Sequence, residues 1–126
     1  MVELGREVGS PEDFAARVDG ELRPEGYRLI AVFEAGEEQA AAAAGFRARH
    51  DLVHGWHLFI DDLATRAAFR RRGHASAMLD WLKAEARRQQ CLYLTLESGV
   101  NRHDAHRLYL RHGMDITSYH VKLRID

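Results

Sequence analysis

The sequence predicts an α/β (α+β) domain built as one mixed, mostly antiparallel sheet layered with helices. Three observations carry that prediction. Four short runs rich in aromatic and β-branched residues, at 27–33, 56–65, 91–96 and 119–125, read as strands. A long helical stripe follows Gly73, with Ala75, Met78, Leu79, Leu82 and Ala86 on one face. The 126 residues, 46% hydrophobic and 29% charged, suit one buried core and one domain spanning 1–126.

Taken in order, residues 2–8 alternate weakly and predict a short edge strand. Ser10 reads as an N-cap, with Pro11 at the first helical position, Glu12 and Asp13 in the first turn, and an end at Asp19-Gly20. The strand at 27–33 precedes a turn at 34–39 that contains Gly36. The alanine run 40–44 has the highest helix propensity in the chain, but it is short and runs into Gly45-Phe46, so a strand is expected there. His54-Gly55 is a turn, and the strand at 56–65 is interrupted by Asp61-Asp62. In the helix after Gly73, Lys83, Glu85, Arg87 and Arg88 lie off the apolar stripe. A helix over 102–112 ends at Gly113, a favoured C′ residue, and 119–125 alternates as a closing strand. The order is β-α-β-β-β-α-β-α-β, parallel only in the βαβ piece at 56–96.

The formal net charge of −1 conceals two halves. Residues 1–63 carry 13 acidic and 6 basic side chains, a balance of −7; residues 64–126 carry 6 and 12, a balance of +6. Such a bipolar chain suits an anionic ligand on one side and a cationic one on the other. No run approaches the ~20 apolar residues that a membrane-crossing helix needs. Cys91 is the only cysteine, which excludes an intramolecular disulfide, and the start lacks a basic region followed by an apolar run. A cytoplasmic location is the expectation.

The most informative segment is Arg70-Arg71-Arg72-Gly73-His74-Ala75-Ser76, between a strand and the start of an amphipathic helix. Backbone N–H groups at a helix start, with the positive end of its dipole, attract anions, and three arginines add charge. A pyrophosphate-bearing ligand fits this pattern. The competing readings are an arginine-rich solvated turn or a nucleic-acid contact, and the lack of an overall basic surface disfavours the latter.

Read with its flanks, this segment belongs to a larger pattern. Leu63-Ala64-Thr65 ends a strand, Arg70-x-x-Gly73-x-Ala75 opens a helix, and Asp104-Ala105-His106-Arg107-Leu108-Tyr109 is followed by His112-Gly113-Met114. The pattern resembles the GNAT superfamily of acetyl-CoA-dependent N-acyltransferases over roughly residues 27–125. The resemblance implies a GNAT-like acyl-CoA N-acyltransferase fold, with a central sheet splayed between two strands and flanked by helices. It implies that backbone amides from Arg70 through Arg71, Arg72, Gly73, His74 and Ala75 to Ser76 hold the coenzyme A pyrophosphate. Leu63, Ala64 and Thr65 correspond to the strand that pairs with the pantetheine arm, and Asn101 and His103 to a loop that touches it. Tyr109 corresponds to the tyrosine that protonates the departing thiolate. Ala67 stands where the family often has proline, and Met114 where it often has an aromatic. No glutamate precedes Leu63 in its strand, so the family's glutamate base has no clean counterpart.

Acetyl transfer needs a neutral amine, and a lysine-like amine with pKa near 10.4 is neutral in about one molecule per 2500 at pH 7. Asp61, Asp62, Glu34 and Glu97 are the strand-end carboxylates able to bind the ammonium and take its proton, directly or through water. Strand side chains alternate, so only one of Asp61 and Asp62 faces a cleft unless a bulge intervenes; Asp62 is slightly favoured. A phenol with pKa near 10 suits Tyr109 as donor to a thiolate. His106, three residues earlier on the same helical face, is a candidate to orient it.

Metal ligation has two candidate pairs, His54-x-x-His57 and His103-x-x-His106, but no Cys or Glu completes either, and no metal is expected. His57 and His120 read as acceptor-pocket or packing residues, and Trp56, Trp81 and Cys91 as packing. The expected protein is a single-domain N-acetyltransferase using acetyl-CoA and a cationic primary amine, with no nucleic-acid or membrane partner; such domains are often homodimers. The alternative is a non-catalytic acyl-CoA-binding or regulatory module.

Overall fold

The computed structural model describes residues 1–126, apart from the side chain of Glu3. The chain forms two compact units, Met1–Leu96 and Glu97–Asp126. No helix among the described residues is long and apolar enough to cross a membrane.

The first unit opens with a 3₁₀ turn at Val2–Leu4, closed by left-handed Gly5, where the weak alternation had predicted a strand. Helix α1, Pro11–Arg17, begins as its cap predicts. Ser10 Oγ accepts from Asp13 N, and Asp13 Oδ2 accepts from Ser10 N, both at 3.1 Å. The helical path does not end at Asp19-Gly20. It continues through a π-helical turn at Val18–Leu22 and a 3₁₀ turn at Arg23–Glu25, leaving at left-handed Gly26. Buried Val18 and an Asp19–Arg23 ion pair, one helical turn apart, hold the chain through the weak point at Gly20.

Four strands follow: β1 Arg28–Val32, β2 Ala42–Asp51, β3 Gly55–Thr65 and β4 Tyr93–Leu96. They lie in the order β1-β2-β3-β4, antiparallel except for the β3–β4 pair. The alanine run does form a strand. Ala41 and Ala44 are fully buried, and the main chain of Ala41 is bonded on both sides, to Val32 O at 2.7 Å and from Arg66 N at 2.8 Å. Ladder pairing and burial override a helix preference worth only tenths of a kcal/mol per residue.

Strand β3 runs unbroken through Asp61 and Asp62, because the irregularity predicted there is a bulge. The register passes from Gly45 opposite Asp62 to Phe46 opposite Ile60, leaving Asp61 as the extra residue. Gly45 is required at this point. A Cβ on it would sit 1.6 Å from Tyr27 Oη and 2.2 Å from Tyr27 Cζ, since the buried Tyr27 ring crosses the strand there.

Helix α2, His74–Arg88, crosses between the parallel strands β3 and β4. Its buried face is Met78, Leu79, Leu82 and Ala86, as the stripe predicts, packing against a core that includes Phe46, Leu58, Ile60 and Leu63. Trp81 meets Phe46 edge to face at 5.8 Å, and Trp56 Nε1 donates to Gln89 O at 3.0 Å. Glu85, placed off the stripe by the sequence, is buried instead. Its carboxylate accepts from Arg28 Nη1 and Gln89 Nε2, each at 2.8 Å, and from Arg88 Nε at 2.9 Å. A buried charge is tolerated when its oxygens are fully hydrogen-bonded, and Arg28 on β1 supplies the decisive partner.

The second unit contains α3, His103–Arg111. It ends in a Schellman motif, with left-handed Gly113 donating to Leu110 O and Met114 donating to Tyr109 O, both at 3.0 Å. The predicted closing strand over 119–125 does not form. Tyr119, Val121, Leu123 and Ile125 are all more than four-fifths exposed. Alternation supplies a strand's faces but not the neighbouring ladder that its backbone groups need, and no described strand pairs with this segment.

Two outcomes test these contacts. Gly45→Ala should destabilise the protein by about 1–3 kcal/mol through overpacking against Tyr27, read as a lower denaturant midpoint at unchanged slope. The three donors around Glu85 hold its carboxyl at about 2, against an ordinary 4.5. Its contribution is therefore complete above about pH 5 and is lost as pH falls towards 2, so Glu85→Gln should flatten the acid limb of urea midpoints measured between pH 6 and 3.

Candidate active site

The geometry begins with a mismatch in strand length. Strand β3 has 11 residues and β4 has 4. Their parallel pairing covers His57 to Ile60 against Tyr93 to Leu96 and then stops. Beyond Ile60, β3 continues through Leu63, Ala64 and Thr65 with β2 on one side, and no described strand pairs with its other edge. This is the splay that the resemblance implies. Thr95, one residue before the ladder ends on β4, has a buried hydroxyl without a hydrogen-bond partner.

From Thr65 the chain passes through a 3₁₀ turn, Ala67–Phe69, to the arginines and α2. Arg71 is left-handed at φ 63°, as is Gly73 at φ 81°. A left-handed arginine costs about 1–2 kcal/mol, which glycine at position 73 does not incur. Gly73 is the N-cap of α2 and makes no side-chain cap, so the first-turn amides are not covered by a capping side chain. Arg70 and Arg71 are exposed and make no ion pair among the described residues. Arg72 and His74 are engaged by Glu34, which follows β1. Arg72 Nη1 donates to Glu34 Oε2 at 2.6 Å, and His74 Nε2 to Glu34 Oε1 at 2.7 Å. Those two bonds lower the Glu34 carboxyl below its ordinary value. Glu34, a candidate base in the sequence, is thus the internal counter-ion of the helix start. Ala75 and Ser76 are half-buried in the first turn.

The bulge sets the two aspartates. Asp62 accepts from Tyr27 Oη and from Arg6 Nε, both at 2.8 Å, while Asp61 accepts from Arg47 Nε at 3.0 Å. Arg47 also lies over the Tyr27 ring, 5.6 Å from its centroid. Both carboxylates therefore gather around one tyrosine, an arrangement that strict alternation forbids and a bulge permits. Burial and the Asp62 carboxylate push the Tyr27 phenol well above its ordinary value. Burial also raises the Asp61 carboxyl, with Arg47 pulling the other way.

The second unit carries the remaining predicted residues. Tyr109 is buried on α3, and burial raises its phenol, so the hydroxyl keeps its proton at neutral pH. His106 Nε2 bonds to Gly99 O at 2.8 Å, which ties that ring to the preceding loop. Asn101 and His103 are exposed where that loop enters α3. Glu97 pairs with His120 at 3.0 Å.

A family model described as the acetyltransferase (GNAT) family matches residues 3–114. The chain belongs to this family. It is an acetyl-CoA-dependent acyltransferase. The GNAT chain is 34% identical over 120 residues to a Bacillus subtilis (strain 168) protein named uncharacterized N-acetyltransferase YhdJ, covering 94% of this chain and 82% of that one. Its fold is similar to glucosamine-6-phosphate N-acetyltransferase from Arabidopsis thaliana, with a TM-score of 0.79 at 19% identity, covering 100% of this chain and 89% of that one. It is equally similar to AAC(6')-Iy, solved in complex with the bisubstrate analog CoA-S-monomethyl-acetylneamine: TM-score 0.79, 16% identity, covering 98% and 85% of the two chains.

Sequence reasoning missed Tyr27, Arg6 and Arg47, which hold the aspartates in this GNAT protein. The only local signal was Gly45 within an apolar strand, the mark of a close approach by another group. Tyr27→Phe should cost about 1 kcal/mol and Asp62→Ala about 1–3 kcal/mol in denaturant melts, the latter leaving the Tyr27 hydroxyl without its acceptor. The double variant should lose clearly less than the sum, because the two residues share one bond.

Proposed function

We propose that this GNAT enzyme transfers an acetyl group from acetyl-CoA to a primary amine by direct attack. The observation that carries the proposal is the open edge of β3 running directly into the arginine-flanked start of α2. An open strand edge suits an arm that carries amide groups, and a helix start with unpaired arginines suits a pyrophosphate. Acetyl-CoA has both in that order. Leu63, Ala64 and Thr65 are assigned to the pantetheine arm, as is the orphan Thr95 hydroxyl beside the splay. Arg70 to Ser76 are assigned to the pyrophosphate, and Asn101 and His103 to the arm where α3 begins.

In the reaction the neutral amine attacks the thioester carbonyl, forming the C–N bond as the C–S bond breaks. Tyr109 gives its proton to the leaving thiolate, a role supported by its place in the Asp104–Tyr109 segment that matches the family pattern. Asp62 and Asp61 draw the ammonium form and receive its proton, directly or through water, and the second N–H proton, released as the amide forms, passes through water to restore the tyrosine. The raised Asp61 carboxyl supports that role, since a more basic carboxylate is a better acceptor. The proposed acceptor is a cationic amine. The exposed Glu37 and Glu38 after β1 favour positive charge, and one structural neighbour is named glucosamine-6-phosphate N-acetyltransferase while another is solved with an acetylneamine bisubstrate analog.

Calorimetry with acetyl-CoA, followed by a thiol-release assay over an amine panel, tests this reading. Arg70→Ala should weaken acetyl-CoA binding roughly three- to tenfold, the loss of about one exposed charge contact. Tyr109→Phe should lower kcat by about 10²-fold or more with little change in acetyl-CoA affinity. Unchanged turnover would remove Tyr109 as the acid, and an unchanged dissociation constant would remove Arg70 from the anion site.

A further inference from the structure

At the opposite end of β3 from the splay, the β2–β3 hairpin brings together three metal-ligating side chains that acetyl transfer does not use. The sequence reads Asp51-x-x-His54-x-x-His57. Asp51 closes β2, His54 lies in the turn and His57 is on β3, and one ligand atom from each lies within 4.8 Å of the other two. The histidine pair that lacked a third ligand in the sequence acquires one across the turn.

Two of the three ligand-atom separations suit an ion site. Asp51 Oδ2 is 3.5 Å from His54 Nδ1 and 3.6 Å from His57 Nε2. Those separations are long for hydrogen bonds. They are close to the ~3.3–3.4 Å between ligand atoms of a tetrahedral ion bound at about 2.0–2.1 Å.

Asp51 and His57 are each oriented by a bond to the backbone of the hairpin. Asp51 Oδ1 accepts from His54 N at 2.6 Å, turning Oδ2 to the imidazoles. His57 is fully buried, and its Nδ1 donates to Gly55 O at 2.9 Å, which puts the lone pair on Nε2. A carbonyl-backed imidazole is the usual outer support of a metal-binding histidine. Nε2 is bonded by Arg49 Nε at 3.2 Å, confirming its acceptor state, while the Arg49 guanidinium rests on the Phe59 ring at 4.0 Å. That bond must yield when an ion binds.

We propose that Asp51, His54 and His57 bind one divalent ion of the zinc type, clamping the hairpin. Two imidazole nitrogens and one carboxylate oxygen select first-row transition ions over magnesium or calcium. Asp51 and His54 are each about one-third exposed, at 34% and 31% for the side chains, so water can fill the fourth position.

The test titrates Co²⁺ and Zn²⁺ into the full chain, prepared without a histidine tag. One equivalent of Co²⁺ should give a tetrahedral visible band, displaced by Zn²⁺, and Zn²⁺ should raise the thermal midpoint. His54→Ala should weaken binding by about tenfold or more while keeping the backbone bond from residue 54 to Asp51, so that a lost turn cannot explain the loss. Arg49→Gln frees the His57 lone pair and should tighten binding; weakening would count against His57 as a ligand. A His103→Ala/His106→Ala variant should bind as wild type does. No cobalt band, or a band that survives His54→Ala or vanishes in the α3 variant, overturns the assignment.

Discussion

Strand β3 serves β2 along its whole length and β4 along only part of it, and this inequality organises the first unit. The parallel ladder ends at Ile60 opposite Leu96, while the antiparallel ladder continues to Thr65 opposite Ala42. Helix α2 must start from the unpaired end of β3 and return to begin β4 beside its paired end. The helix start, with its arginines, is consequently delivered to the place where backbone groups of β3 lack a neighbour. One topological constraint supplies both a peptide-like edge and an anion-attracting terminus, and neither needs a dedicated loop.

The bipolar charge count acquires a different meaning in three dimensions. Glu34 from the acidic half bridges Arg72 and His74 of the basic half, and Glu85 of the basic half holds Arg28 of the acidic one. Asp61 and Asp62 are bound by Arg47 and Arg6 from their own half. The two halves are therefore stitched together by cross-pairs, and the carboxylates nearest the bulge are held in place by internal partners.

Local signals in the sequence carried the fold a long way. Ser10 capped α1, the apolar stripe located α2, and Gly113 closed α3, because caps and helical periodicity depend on residues a few positions apart. What stayed hidden depended on distant partners. Glu85 reads as a solvent residue until Arg28, 57 positions away, is seen beside it. Tyr27 and Asp62 meet across 35 positions, and the only mark of that meeting is the missing side chain of Gly45. At the site, the family signature was legible at Arg70 to Ala75, whereas the pairing of Glu34 with that helix start was not, since its partners lie 38 and 40 residues away. The tail at 119–125 failed in the opposite sense, with a clear local pattern and no ladder to join.

On the proposed reading, the Glu34 carboxylate also turns anion binding at α2 into an exchange. A phosphate that takes Arg72 and His74 must displace a bound carboxylate, so affinity reflects the difference between two anions on the same donors. The released glutamate then sits beside its replacement as a repelling charge unless it moves away or binds a cation. Three adjacent arginines would ordinarily forecast a steep loss of affinity with added salt. At Arg72 and His74 the opposing internal ion pair is screened by the same salt, so these two donors would add less to that dependence than Arg70 and Arg71.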